Sequence, residues 1–211
     1  MSDEQPFSLL IVDDDKSMRQ SLLALMEAAG WQAEAVPRAD RALDKLGEIH
    51  PDVILSDVRM PGMSGLELQK ALEARQIEIP MILMTAFGDV STAVRAMKAG
   101  AVDFIEKPFS NQTMLDLIQA ALQADAARRH AGAEAAEAAR MLERLTPQEH
   151  RVYKRVVAGK SNREIGAEMD ISVKTVEVHR ARVMRKLEAG SVAELVRFDL
   201  ARGAGEGDEG G

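Results

Sequence analysis

Cysteine is absent from the 211-residue sequence, and aromatic residues make up only 3% of it. Without cysteine the chain can form no disulfide and offers no thiolate ligand to a metal, which suits a reducing compartment. No uncharged apolar run approaches the roughly 18 residues that a membrane-spanning helix needs. The first six residues are polar and acidic, unlike a signal peptide. We therefore expect a cytoplasmic protein that does not contact a membrane.

Charge is distributed unevenly along the chain, whose formal net charge is −7. Residues 1–123 contain 11 Lys and Arg against 19 Asp and Glu, whereas residues 146–200 contain 11 against 8. An acidic first part followed by a mildly basic last part indicates two units with different partners. The small positive balance of the last part is also common in proteins that do not bind DNA.

The first part of the chain alternates between strand-like and helix-like segments. Five short apolar runs predict strands, at residues 8–12, 32–36, 53–55, 81–84 and 103–105. Five helical stretches follow them, at residues 17–29, 39–46, 66–74, 90–99 and from Asn111 onward. This alternation predicts an α/β fold, a doubly wound five-stranded parallel sheet with helices on both faces.

The last third of the chain shows no strand pattern and predicts four helices. Three of them begin with a capping-box sequence: Thr146 with Glu149, Ser161 with Glu164 and Ser191 with Glu194. The longest of the four spans residues 173–187. Residues 126–141 are rich in Ala, Arg and Glu, which predicts a helical linker or, alternatively, a partly frayed tether. The glycine-rich residues 204–211 predict a disordered tail.

Polar residues follow the predicted strands where a parallel sheet places its ligands. Asp13 and Asp14 follow the first strand, Asp57 ends the third, Thr85 ends the fourth and Lys107 follows the fifth. Neighbouring carboxylates repel one another, and a hard cation such as Mg²⁺ relieves the repulsion. An aspartate oxygen beside such a cation and a lysine can attack a phosphoryl donor.

Four motifs resemble those of the response-regulator receiver family, in order and in spacing. They are LLIVDDD from Leu9, SDVRMPG from Ser56, MTA from Met84 and DFIEKPF from Asp103. The resemblance covers about residues 6–125 and implies a receiver domain. One position departs from it, because close relatives tend to carry His where this chain has Phe87. The loop after the fourth strand is therefore expected to pack differently.

The resemblance implies a role for each matching residue. Asp57 is the expected phosphoryl acceptor, and Asp14, Asp57 and the backbone carbonyl of Arg59 are the expected Mg²⁺ ligands, with Asp13 acting mainly through water. Thr85 is expected to bond the transferred phosphoryl group and Lys107 to pair with its charge. Thr85 and Phe104 form the expected switch. The Lys107–Pro108 peptide bond is expected to be cis.

A phosphatase interpretation remains as an alternative for the same residues. Leu9 to Ser17 also resembles the nucleophile loop of haloacid-dehalogenase-type phosphatases, with Asp13 attacked and Asp15 as the general acid. The chain lacks the late acidic pair and the cap insertion of that family. We therefore expect no turnover of an external substrate, and no enzyme activity beyond accepting a phosphoryl group.

Residues 142–203 resemble the LuxR-type helix-turn-helix domain. The matching segments are LTPQE from Leu145, NREIGA from Asn162, VKTVEVHR from Val173 and MRKL from Met184. Joined to the receiver, they make nearly the whole chain similar to the FixJ-like subfamily. On the helix at 173–187, Val176, Val183 and Leu187 form a predicted inward stripe. The predicted DNA-contacting residues are Lys160, Asn162, Arg163, Lys174, Thr175, Glu177, Val178, His179, Ala181, Arg182 and Lys186.

Together the two resemblances imply a two-component response regulator and transcription factor. The expected partners are a sensor histidine kinase, double-stranded DNA, a second copy of the chain after phosphorylation, and RNA polymerase. A surface that includes Val90, Arg95, Lys98 and Phe104 is expected either to form the dimer or to hold the DNA-binding domain. Transcription activation is the expected outcome. A phosphorylation-dependent protein-interaction module without DNA binding is a further alternative.

Overall fold

The computed structural model describes residues 7–86 and 103–206. The chain divides into two compact units, Met1–Ala126 and Ala127–Gly211. No helix within the described ranges is long and apolar enough to cross a membrane. The predicted helix at residues 90–99 lies outside these ranges, as do Phe87, Val90, Arg95 and Lys98.

The N-terminal unit is built on one parallel sheet of five strands. Its strands are β1 (Ser8–Val12), β2 (Gln32–Val36), β3 (Val53–Asp57), β4 (Met81–Ala86) and β5 (Asp103–Lys107). Their order is β2-β1-β3-β4-β5, and every neighbouring pair is parallel. The central strands are apolar runs because both of their faces are covered. The predicted five-stranded α/β fold is confirmed.

Helices cover both faces of this sheet. They are α1 (Lys16–Ala28), α2 (Ala39–Lys45), α3 (Gly65–Ala74) and the long α4 (Asn111–Glu143). One core cluster joins Leu22 and Met26 of α1 to Met114 and Ile118 of α4 against the sheet. The other joins side chains of α2 and α3 to the opposite face. The whole predicted linker, residues 126–141, is helical because α4 runs through it.

The C-terminal unit contains the four predicted helices. They are α5 (Pro147–Val157), α6 (Asn162–Met169), α7 (Val173–Lys186) and α8 (Val192–Glu206). Their apolar faces meet in one core, and the predicted inward stripe of α7, Val176, Val183 and Leu187, is buried in it. A left-handed Asp170 ends α6 and turns the chain into α7.

Helix ends differ from the sequence predictions in a few places. The capping boxes at Thr146 and Ser161 are complete. At the start of α8, the Glu194 carboxylate instead accepts a bond from the Gly190 N–H, so that box is incomplete. Helix α8 also continues to Glu206, beyond the predicted start of the disordered tail at residue 204.

Candidate functional site

Three carboxylates meet at the carboxyl-terminal edge of the sheet. Asp13 and Asp14 follow β1, and Asp57 ends the adjacent strand β3. One carboxylate oxygen from each lies within 4.8 Å of the others. Asp13 is fully buried, Asp57 is half-buried and Asp14 is exposed, so the cluster opens to solvent on one side. Oxygen ligands in this number and spacing suit Mg²⁺, which usually keeps several waters.

Lys107 joins two of these carboxylates from the end of β5. Its Nζ atom lies 2.8 Å from Asp13 Oδ2 and 2.8 Å from Asp57 Oδ2. Burial by itself lowers the pKa of Lys107, but the hydrogen bonds to Asp13 and Asp57 outweigh it, so the pKa is raised. Lys107 therefore stays protonated and partly neutralises the cluster. Its peptide bond to Pro108 is cis, in agreement with the sequence-based expectation.

Hydrogen bonds from the β1–α1 loop and from α1 hold Asp13 and Asp14 in place. The Asp15 N–H donates to Asp13 Oδ1 at 2.8 Å. The Asp15 carboxylate caps α1 by accepting from the N–H groups of Ser17 and Met18. Arg19, in the second turn of α1, donates through Nη1 to the carbonyls of Asp13 at 2.7 Å and Asp14 at 3.0 Å. Asp15 thus serves as the N-cap of α1 in this structure.

Asp57 sits against a tight turn into α3. Its Oδ1 accepts from the Arg59 N–H at 3.2 Å, and its carbonyl accepts from Ser56 Oγ at 3.0 Å. The Gly65 N–H donates to the Val58 carbonyl at 3.0 Å. A Cβ on Gly65 would lie 2.3 Å from the Asp57 carbonyl oxygen. Sequence reasoning missed Gly65 and Arg19, because neither belongs to the motifs that identified the acidic residues.

The two predicted switch residues differ in exposure. Thr85 is buried near the end of β4, next to the strand that carries Asp57. Phe104 on β5 is 38% exposed, whereas the next residue, Ile105, is buried and points to the opposite face of the sheet. The strand alternation explains this difference, since successive side chains point to opposite faces. Phe104 therefore lies at the surface of the N-terminal unit.

The predicted base-facing side of α7 is open to solvent. Lys174, Glu177, Val178 and Ala181 are all exposed, and Val178 has 46% of its surface accessible. Thr175 and Arg182 are exposed beside them, as is Arg163 on α6. Their access to solvent leaves these side chains free of the core and able to reach a groove or a phosphate.

Four other predicted DNA contacts are partly engaged within the C-terminal unit. Lys160 pairs with Glu168, and Asn162 Oδ1 accepts from Arg180 Nη1 at 2.9 Å. His179 is half-buried, and its Nδ1 has no hydrogen-bond partner among the described residues. The Lys186 ammonium has two partners inside the unit.

The Lys186 ammonium lies against a buried carboxylate on α5. Its Nζ atom is 2.6 Å from Glu149 Oε2 and 2.9 Å from the Arg144 carbonyl. Burial alone raises the pKa of Glu149, but the bonds from Lys186 and Thr146 outweigh it and lower the pKa to about 2. The Lys186 side chain is 29% exposed, and its predicted phosphate contact stays a prediction.

Comparison with known proteins agrees with this geometry. The family model "Response regulator receiver domain" matches residues 9–119, and "Bacterial regulatory proteins, luxR family" matches residues 143–198. The transcriptional regulatory protein FixJ of Bradyrhizobium diazoefficiens is 41% identical over 195 residues, covering 92% of this chain and 95% of that protein. FixJ of Rhizobium meliloti is 41% identical over 199 residues, covering 94% and 98%.

Solved structures are similar over nearly the full length as well. Full-length FixJ from B. japonicum is 40% identical, with a TM-score of 0.60, covering 94% of this chain and 98% of that one. The response regulator StyR is 38% identical, with a TM-score of 0.74, covering 93% and 99%. The chain thus belongs to the two-component response regulators that join a receiver domain to a LuxR-type DNA-binding domain and regulate transcription.

Proposed function

We propose that Asp57 accepts a phosphoryl group from a sensor histidine kinase and that this modification controls DNA binding by the C-terminal unit. The observation that carries the proposal is the trio of carboxylates tied to Lys107 at the edge of the sheet. Asp57 lies half-buried at the end of β3 with its Oδ2 atom 2.8 Å from the Lys107 ammonium, and its carboxylate oxygens are the proposed attacking group.

The transfer needs one nucleophile and a place for the charge. An Asp57 oxygen attacks the phosphorus of a phosphohistidine, the phosphorus–nitrogen bond breaks, and the histidine nitrogen takes up a proton. Asp14, Asp57 and the Arg59 carbonyl would hold Mg²⁺, with Asp13 acting through water. When bound, this ion neutralises charge on the carboxylates and phosphoryl oxygens. After transfer, the phosphoryl oxygens would take the place of the Asp57 carboxylate as a partner of Lys107, and one of them could accept a hydrogen bond from the Thr85 hydroxyl.

The DNA-binding half of the proposal rests on α7. The exposed face of Lys174, Glu177, Val178 and Ala181 is proposed to enter the major groove. Thr175, His179, Arg182 and Arg163 are proposed to contact phosphates, with Lys160 and Asn162 supporting the start of α6. Lys186 is a proposed phosphate contact as well, and in this structure its ammonium has two partners inside the unit.

Phosphorylation is proposed to act by shifting a population toward a dimer that binds DNA. Charge added at Asp57 is proposed to change the preferred positions of the Thr85 and Phe104 side chains. A twofold dimer would then present two copies of α7 to a pseudo-palindromic DNA site. Transcription activation through RNA polymerase, in the cytoplasm, is the proposed outcome. The proposed domains are a receiver at residues 6–125, a linker at 126–141, a DNA-binding domain at 142–203 and a tail at 204–211.

The first test is phosphorylation by a small donor. The wild-type chain and its Asp57→Asn variant are incubated with acetyl phosphate and Mg²⁺, and their intact masses are recorded. We expect one phosphoryl adduct on the wild type and none on the variant. The treated wild type should also gain mass in light scattering, while the variant stays unchanged. An equal adduct on both proteins would place the acceptor elsewhere.

The second test separates a DNA-binding regulator from a protein-interaction module. Binding to a mixed-sequence duplex is measured before and after phosphorylation at several salt concentrations. Contacts with phosphates predict affinity that falls steeply as salt rises. Absence of duplex binding in both states, with the adduct present, would favour the interaction module.

A further inference from the structure

The two acidic residues after β1 are held in different ways. Asp13 is fixed by its side chain, which bonds to Lys107 Nζ and to the Asp15 N–H. Its own N–H also donates to the Val36 carbonyl at 3.3 Å. The Asp14 side chain is exposed. Within the described ranges, the hydrogen bond that Asp14 makes is the one its carbonyl accepts from Arg19.

Arg19 reaches both residues from a rigid base. Its Nη1 atom lies 2.7 Å from the Asp13 carbonyl and 3.0 Å from the Asp14 carbonyl. Helix α1, which carries it, is anchored by Leu22 and Met26 in the core. The side chain is itself half-buried, so its position is restrained along its length. A planar guanidinium suits this geometry, because its donors have fixed directions.

We propose that Arg19 is a positioning residue for the cation site. By joining the carbonyls of Asp13 and Asp14, it fixes the backbone that aims the Asp14 carboxylate at Asp57. The guanidinium also brings a positive charge to the backbone of Asp13 and Asp14, two of the three residues whose carboxylates repel one another. Arg19 touches neither the cation nor the phosphoryl group, and acts through Asp14. The inference rests on the proposed cation site.

Binding of Mn²⁺ to the full-length protein tests this role, with paramagnetic resonance of the free ion as the readout. Mn²⁺ takes the octahedral oxygen ligands that Mg²⁺ takes. Arg19→Met removes both hydrogen bonds, and we expect roughly tenfold weaker binding, the lower end of the loss typical when a residue that orients metal ligands is replaced. Lys16→Met is the matched control. It removes an equal charge from an exposed side chain at the start of the same helix, and we expect less than about a twofold change by surface screening.

Folding is followed separately through Trp31, the single tryptophan. A merely structural role of Arg19 would lower the unfolding midpoint of the Trp31 signal without changing Mn²⁺ affinity in the folded protein. Arg19→Lys keeps the charge but lacks the planar group, so we expect affinity between those of Arg19→Met and the wild type. It also serves as the deciding variant if Arg19→Met does not fold.

The outcomes distinguish this inference from the proposed function. Equal affinity of Arg19→Met and Lys16→Met, or of Arg19→Lys and the wild type, overturns the positioning role and leaves the cation site standing. No Mn²⁺ binding by the wild type overturns the cation site and the positioning role together. A loss confined to the Arg19 variants supports both.

Discussion

The buried ion pair between Glu149 and Lys186 predicts a large loss of stability in one unit on a single substitution. Glu149→Gln keeps the size of the side chain but removes its charge. The carboxylate is 3% exposed and lies 2.6 Å from Lys186 Nζ, and it also accepts from the Thr146 N–H at 2.8 Å. The variant removes the negative charge beside the Lys186 ammonium and leaves it only neutral acceptors, the amide oxygen at position 149 and the Arg144 carbonyl. Removing one partner of a buried pair is strongly destabilising.

The magnitude follows from the lowered pKa of Glu149. A fall from 4.5 to about 2 corresponds to about 3 kcal/mol at about 1.36 kcal/mol per pH unit. Lys186 remains 29% exposed, so solvent screens part of this interaction. We therefore expect a loss of about 2 kcal/mol in the free energy of unfolding of the C-terminal unit.

The pH dependence has a defined sign. The pKa of Glu149 is lower in the folded state, so its stabilisation is complete above the unfolded pKa of 4.5 and is lost as pH falls toward 2. The difference between wild type and Glu149→Gln should be constant near neutral pH. It should shrink through that acidic window, in which the wild-type carboxylate becomes protonated.

Urea unfolding of the full-length protein measures the effect unit by unit. Trp31 fluorescence follows the N-terminal unit, and far-ultraviolet circular dichroism also reports the all-helical C-terminal unit. Glu188→Gln is the control, because the Glu188 carboxylate also pairs with a cation of the same unit, Arg144, but it is 71% exposed and the pair is 3.9 Å apart. We expect a shift in the helical transition for Glu149→Gln alone, with Trp31 unchanged. Equal midpoints for the two variants would refute the reasoning.

Two glycines predict opposite effects when replaced by alanine. Gly65→Ala places a Cβ 2.3 Å from the Asp57 carbonyl oxygen, so the backbone must shift. We expect the free energy of unfolding of the N-terminal unit, followed through Trp31, to fall by about 1–3 kcal/mol. We also expect slower phosphorylation by acetyl phosphate. Unchanged stability and an unchanged phosphorylation rate would show that α3 can shift away from Asp57 without cost. Gly132 lies in the exposed part of α4 with open space around it, so Gly132→Ala should stabilise the helix there by about 1 kcal/mol. Because trypsin cleaves the locally unfolded chain, we expect about fivefold slower cleavage at Arg128 and Arg129. Faster cleavage than in the wild type would contradict the helical state of that segment.

Patterns local in sequence predicted most of the fold. Apolar runs located all five strands, and capping boxes located the starts of α5 and α6, because those signals act over a few residues. The acidic residues and Lys107 were predictable from their place after strands. The ends of helices were less predictable. The Glu194 carboxylate accepts from the N–H of Gly190 and not from that of Ser191, which depends on the exact path of the preceding turn.

Contacts between distant residues were the part that sequence could not supply. Periodicity places Lys186 on the charged side of α7, and only the packing of α5 against α7 reveals Glu149 as its partner, 37 positions away. Arg19 looked like an ordinary surface residue of α1 until the path of the β1–α1 loop was known. The role of Gly65 became visible only from the short distance between the start of α3 and the end of β3.

The last turn of α4 has a consequence for anyone who transplants the DNA-binding unit onto another protein. Met141 and Leu142 pack against its core, and the Arg144 carbonyl receives Lys186. By contrast, residues 126–134 are exposed throughout. A fusion joined at Leu145 would cut off two apolar side chains and one acceptor of the Lys186 ammonium. A graft joined within 126–134 keeps the unit whole, so that stretch is where a chimeric regulator should be spliced.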